Sequence, residues 1–161
     1  MRKFLSLVLS VTLAAGLFAA EYPKLGKDIY DPKADANVLI ADALSTAKEN
    51  HKNVLLMFGA NWCIWCHRLH HILATNNEVA AALEKDFILV MVDVNTRNGT
   101  KRNADVNERY GNPIQHGLPV LVVLDETGKP LTTQETGSLE ENDGHSPAKI
   151  LAFLNEWVPN R

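Results

Sequence analysis

An unbroken apolar run, Val54-Leu55-Leu56-Met57-Phe58, leads almost directly into Trp62-Cys63-Ile64-Trp65-Cys66, which holds the only two cysteines of the chain. The run has the length of a strand, and its lack of polar alternation calls for burial on both faces. After it, Cys66, Leu69, Ile72 and Leu73 recur at helical spacing. A strand that runs into a helix with C-x-x-C on its first turn is the arrangement of a dithiol redox site. Two thiols three positions apart can close a disulfide and reopen it. The first also faces the unpaired N–H groups and the positive end of the helix, which favour its thiolate, the form that attacks a disulfide.

The remaining pattern alternates helices and strands. Asp35 is a helix cap, and the spacing predicts a helix to about Asn50 with Val38, Leu39, Ala43, Leu44 and Ala47 on its apolar side. Asn76 or Asn77 caps a short helix to about Leu83, and residues 87–94 read as a second buried strand. Residues 95–112 are polar, with a helix around 104–110 and four cations, Arg97, Lys101, Arg102 and Arg109, that read as a solvated loop or a docking surface for an acidic partner. Residues 119–124 form a third strand, Asp125-Glu126-Thr127-Gly128 a hairpin turn, and residues 130–136 a fourth strand. Residues 140–145 read as an acidic loop. Ser146-Pro147 opens a last helix with Ile150, Leu151, Phe153, Leu154 and Trp157 on its apolar face. The order argues for an α/β fold, a mixed sheet of four or five strands with helices on both faces.

The chain has 161 residues, 46% of them hydrophobic, enough for one globular domain. Arg2-Lys3 followed by the apolar residues 4–20 reads as a secretory signal peptide, with an uncleaved membrane anchor as the rival. Residues 21–34 read as an irregular lead-in and 35–161 as the folded domain. Without Arg2 and Lys3, 14 basic residues face 19 acidic ones, a net charge of −5, and nothing points to nucleic acid. Export implies an oxidising, periplasmic compartment, where a static disulfide is the plain alternative. Two intervening residues close too small a loop to stabilise much.

These residues and this order resemble the thioredoxin superfamily over nearly the whole mature chain, above all its exported members and the C-terminal domain of the periplasmic thiol:disulfide interchange reductase. The likeness rests on Phe58-Gly59-Ala60-Asn61-Trp62-Cys63, on Asp93 at a strand end, on Gly117-Leu118-Pro119-Val120, and on the turn at residues 125–129. The resemblance implies a thioredoxin fold and a thiol–disulfide oxidoreductase. Cys63 is then the nucleophile and Cys66 the resolving cysteine. Pro119 is cis and opposite Cys63, the Leu118 backbone pairs with an extended substrate segment, and Trp62 and Trp65 border the site. The expected substrates are protein disulfides or dithiols; a reductant in an oxidising compartment needs a membrane electron donor, and a monomer with neither cofactor nor metal is expected.

The chain also departs from that family. Met57 stands where thioredoxin has a buried aspartate, the usual proton acceptor for the resolving thiol. Ile64 and Trp65 put no histidine between the cysteines, which favours a reductant or isomerase over an oxidant. Three alternatives stay open. Cys63-Ile64-Trp65-Cys66-His67 matches the c-type haem attachment signal. Cys63, Cys66, His67, His70 and His71 share helical spacing and could hold a metal. A peptide-binding module on the same fold is the third. His51, His116 and His145 read as surface or loop residues, with His116 near enough to Pro119 to border the site.

Overall fold

Every residue of strand β1 (Asn53–Gly59) is buried, because β1 lies inside the sheet with a neighbour on each side. The computed structural model describes residues 25–160. On one side β1 pairs in parallel with β2 (Phe87–Asp93), from Asn53 opposite Phe87 to Gly59 opposite Asp93. On the other it pairs antiparallel with β3 (Val120–Leu124), which turns into β4 (Pro130–Glu135) to complete the order β2-β1-β3-β4. The parallel pair needs a crossover, and α2 (Ile64–Thr75) and α3 (Asn77–Asp86) supply it. Helices α1 (Ala36–Asn50), α4 (Ala104–Arg109) and α5 (Pro147–Glu156) complete the set.

The two-residue period of a strand divides β1 between two cores. Leu55 and Met57 pack with Leu121, Val123, Leu69, Leu73, Val79, Ile150, Phe153 and Leu154. Val54, Leu56 and Phe58 pack with Ile40, Ala43, Ala47, Val90, Val92, Val106 and Val122. Full burial of each large apolar side chain contributes roughly 1.5–3 kcal/mol. The expected fold class holds: a mixed four-stranded sheet with helices on both faces.

The local signals act as their chemistry dictates. Asp35 caps α1 by accepting from the Asn37 N–H at 2.8 Å, and Asn76 caps α3 by accepting from the Val79 N–H at 3.2 Å. Asp125 Oδ1 accepts from the N–H groups of Thr127 and Lys129, which closes the β3–β4 turn with Gly128 at φ +88°.

Four expectations need correction. The buried face of α1 is Ala36, Ile40, Ala43 and Ala47, while Val38, 55% accessible, and Leu39 point outward. Strand β2 is an edge strand, so Ile88, Leu89 and Met91 are only half-buried. Residues 140–145 are not a plain loop: β5 (Glu140–Glu141) and β6 (Gly144–His145) form a small antiparallel sheet. The described part of the lead-in, residues 25–34, holds no helix or strand, yet Tyr30 within it is 1% accessible and belongs to the core. The apolar run at 4–20 and its cleavage site lie outside the described residues. No helix among the described residues is long and apolar enough to cross a membrane.

Candidate active site

The C-terminal ends of β1 and β2 and the start of β3 meet at one edge of the sheet, and Cys63 follows directly from β1. The chain leaves Gly59, turns through a Cys63 N–H to Ala60 carbonyl bond of 3.0 Å, and enters α2 with Cys63 as its cap residue. Cys63 and Cys66 form a disulfide with their Cα atoms 5.2 Å apart. Cys63 Sγ accepts from the Cys66 N–H at 3.1 Å, so the sulfur meets one of the unpaired donors of the helix start. The pair is asymmetric. Cys66 is wholly inaccessible, whereas Cys63, 5% accessible, is followed by Ile64, which is 42% accessible.

Both tryptophans carry a cation. The Arg97 guanidinium lies over the Trp62 ring at 3.7 Å, and Arg68 over Trp65 at 4.6 Å. Trp62 Nε1 donates to Asn95 Oδ1 at 2.8 Å. Trp65 meets the His145 ring edge to face at 5.7 Å. The first turn of α2 has no acidic residue, so no carboxylate there opposes the positive end of the helix at Cys63. The Leu118–Pro119 bond is cis, as the resemblance implied. Pro119 is buried, its carbonyl accepts from Thr136 Oγ1 at 2.7 Å, and Leu118 packs against both cores.

Three of the four cations of the inserted segment are engaged within the domain, and Lys101 is exposed. Arg102 donates to Asp93 Oδ2 at 2.6 Å, Arg109 donates to Asn37 Oδ1 at 2.6 Å, and Arg97 is engaged with Trp62. Of the histidines, His51 and His116 are exposed as expected. His145 is not: it is buried under the active-site helix with both ring nitrogens unpartnered. Burial, with help from Arg68, lowers its pKa. His67 Nε2 bonds the Asn61 carbonyl at 2.9 Å, so that nitrogen carries the proton. Burial lowers the His70 pKa, with smaller contributions from His67 and His71. Among the described residues no group of three or more His, Cys, Asp or Glu side chains could hold a metal ion.

Three residues of the site were missed in the sequence. Asn61 Oδ1 accepts from the N–H groups of Ile29 and Tyr30 at 3.0 and 2.9 Å, and its Nδ2 donates to the Tyr30 carbonyl at 2.9 Å. Tyr30, so held, brings its hydroxyl against Gly59, on which Cys66 Sγ also borders. The available signals were an Asn directly before Trp62 and two tyrosines, Tyr22 and Tyr30, in a polar stretch. For His145 there was none.

A family model described as a thioredoxin-like domain matches residues 40–144. The chain belongs to the thioredoxin-like family. Among solved structures, this thioredoxin-like protein resembles a disulphide isomerase from Xylella fastidiosa Temecula1. The identity is 37% and the TM-score 0.70, over 80% of this chain and 95% of that one. Among curated relatives it is 29% identical to the disulfide bond reductase DsbH of Chlamydia pneumoniae, over 56% of this chain and 57% of that protein. It is 32% identical to the thiol:disulfide interchange protein DsbD of Actinobacillus pleuropneumoniae, over 65% of this chain and 16% of that much longer protein.

Proposed function

We propose that this protein is an exported thiol–disulfide oxidoreductase acting on protein disulfides or dithiols through Cys63 and Cys66. The observation that carries the reading is the asymmetric pair at the start of α2: one sulfur at the helix end beside an exposed apolar residue, the other enclosed. The Cys63 thiolate attacks a substrate disulfide and forms a Cys63–substrate bond, and the first substrate sulfur leaves as a thiolate. The Cys66 thiolate then attacks Cys63 Sγ, expels the second substrate thiolate and closes the Cys63–Cys66 disulfide. The substrate gains two electrons and the protein loses two; run backwards, the steps oxidise a dithiol.

The N–H groups at the start of α2 favour the Cys63 thiolate, and they act whichever way electrons flow. The absence of a histidine between the cysteines favours reduction or isomerisation. Two similar proteins, one named a disulfide bond reductase and one a disulphide isomerase, support that direction. A reductant in an oxidising compartment draws its electrons from a membrane donor. In this reading residues 1–20 direct export to the periplasm, residues 21–34 lead into the domain at 35–161, and the protein works as a monomer. Trp62, Trp65, Leu118 and Pro119 border the substrate.

The test is equilibration of the mature protein against glutathione or a thioredoxin couple, with turnover of a protein disulfide measured alongside. A reduction potential near −270 mV marks a reductant and one near −120 mV an oxidant. Absence of exchange would leave a static disulfide.

A further inference from the structure

The Tyr30 hydroxyl is fully enclosed and has no hydrogen-bond partner. Buried polar groups are nearly always paired, so an orphaned one at a reactive site calls for a cause. Its position supplies one. A Cβ placed on Gly59 would collide with the Tyr30 hydroxyl oxygen and would come within 2.7 Å of Cys66 Sγ. Phenol oxygen and sulfur are therefore neighbours across the one residue type that leaves room for both. The approach is built from both sides, because Asn61, just after β1, grips the Tyr30 backbone through its N–H and its carbonyl. Met57, in the adjoining strand, offers the sulfur no proton acceptor.

We infer that Tyr30 is the hydrogen-bond donor to Cys66, its O–H turning to the resolving sulfur when the disulfide opens and that sulfur becomes a thiolate. This role rests on the oxidoreductase reading above. A disulfide sulfur is a poor acceptor, which accounts for the orphaned O–H in the oxidised protein. A thiolate is a strong acceptor, and one enclosed at Cys66 lacks the water that would otherwise solvate it. Burial, reinforced by the Asp93 carboxylate, raises the Tyr30 pKa far above its ordinary value, so the phenol keeps its proton and serves as donor, not base. Asp93 is the charged group that acts on the phenol, and it is itself tied to Arg102 and to the Asn95 N–H. The proton released by Cys66 goes to solvent or to the departing thiolate, and no further reactant is needed.

The experiment uses Tyr30→Phe, which keeps the ring and removes only the hydroxyl, and the two-step reaction of the reduced protein with dithiobis(nitrobenzoate). The first thionitrobenzoate is released when Cys63 attacks, and the second when Cys66 resolves the mixed disulfide. A hydrogen bond to a charged group corresponds to a pKa shift of about one unit or more. Because nucleophilicity rises as the thiolate fraction falls, the rate changes by less than the full tenfold. The expected result is a first step unchanged from wild type. The second step is about threefold slower at neutral pH, with its pH midpoint raised by about one unit. A second step with wild-type rate and midpoint, or both steps slowed alike, would overturn the role of Tyr30. A wild-type protein that never releases the second equivalent would overturn the oxidoreductase reading and this role with it.

Discussion

Asn61 clasps Tyr30 by both faces of its peptide backbone, accepting from the N–H at 2.9 Å and donating to the carbonyl at 2.9 Å. The same Oδ1 also accepts from the Ile29 N–H. One side chain next to the disulfide thus fastens a stretch some thirty positions earlier in the chain, and through it sets the floor of the site.

Asn61→Ala removes all three bonds at once. Each is worth about 0.5–1.5 kcal/mol, so urea unfolding should show a loss of about 2–3 kcal/mol, with early proteolytic cleavage near residues 25–34. Asn61→Asp keeps an acceptor for both N–H groups but lacks the donor, and its stability should fall between the two. Wild-type stability in Asn61→Ala would mean that the clasp contributes nothing.

The two cysteines should fail in different ways. Cys66→Ser leaves Cys63 free to attack but nothing to resolve the product, so the protein should accumulate as a mixed disulfide visible in intact mass. Cys63→Ser should form little adduct, since Cys66 is wholly enclosed. Equal adduct yields in the two variants would contradict the assignment of nucleophile and resolver.

Thr136 Oγ1 donates to the Pro119 carbonyl at 2.7 Å in a buried setting. Thr136→Val keeps the shape and leaves that carbonyl without its donor, at a cost of about 1–3 kcal/mol. Thr136→Ser should recover most of the loss. Chemical denaturation of the three proteins decides it, and a neutral Val variant would show that water satisfies the carbonyl.

His145 makes stability depend on pH. Burial lowers its folded-state pKa, with Arg68 adding to the effect, so the unfolded chain takes up a proton that the folded chain resists. Stability should therefore fall as the pH drops below the unfolded value of about 6.5, and level off once the pH passes the lower folded value. His145→Phe keeps an aromatic edge against Trp65 and removes both unpartnered nitrogens. The difference in melting temperature between pH 7.5 and pH 5 should shrink in this variant but not vanish, because His70 shifts in the same direction. An unchanged difference would place the pH dependence elsewhere.

Much of the fold was legible because its signals are local. The all-apolar run at Val54 to Phe58 can only be an interior strand. Asp35, Asn76 and Ser146-Pro147 mark helix starts, and the turn at Asp125 to Gly128 follows from side-chain bonds to the backbone two and four residues on. The C-x-x-C spacing likewise announces its disulfide, since both sulfurs belong to one helical turn. The errors fell where a neighbour decides. Val38 and Leu39 looked like core until helix phase and the sheet selected Ala36, Ile40, Ala43 and Ala47. The strand at 87–93 reads as fully buried, but a place at the sheet edge leaves Ile88, Leu89 and Met91 partly open.

What the sequence determined alone is the redox motif, the order of elements and hence the family, because each depends on contacts within a few residues along the chain. What only the tertiary structure decided is which groups stand beside Cys66 and the two tryptophans. Tyr30 reaches Cys66 from the lead-in across Gly59, His145 closes over Trp65 from a two-stranded sheet, and Arg97 and Arg68 cover the two tryptophans. Of these only Arg68 is near the motif in sequence. The rest are brought in by hydrogen bonds and burial between distant segments, which no local pattern encodes.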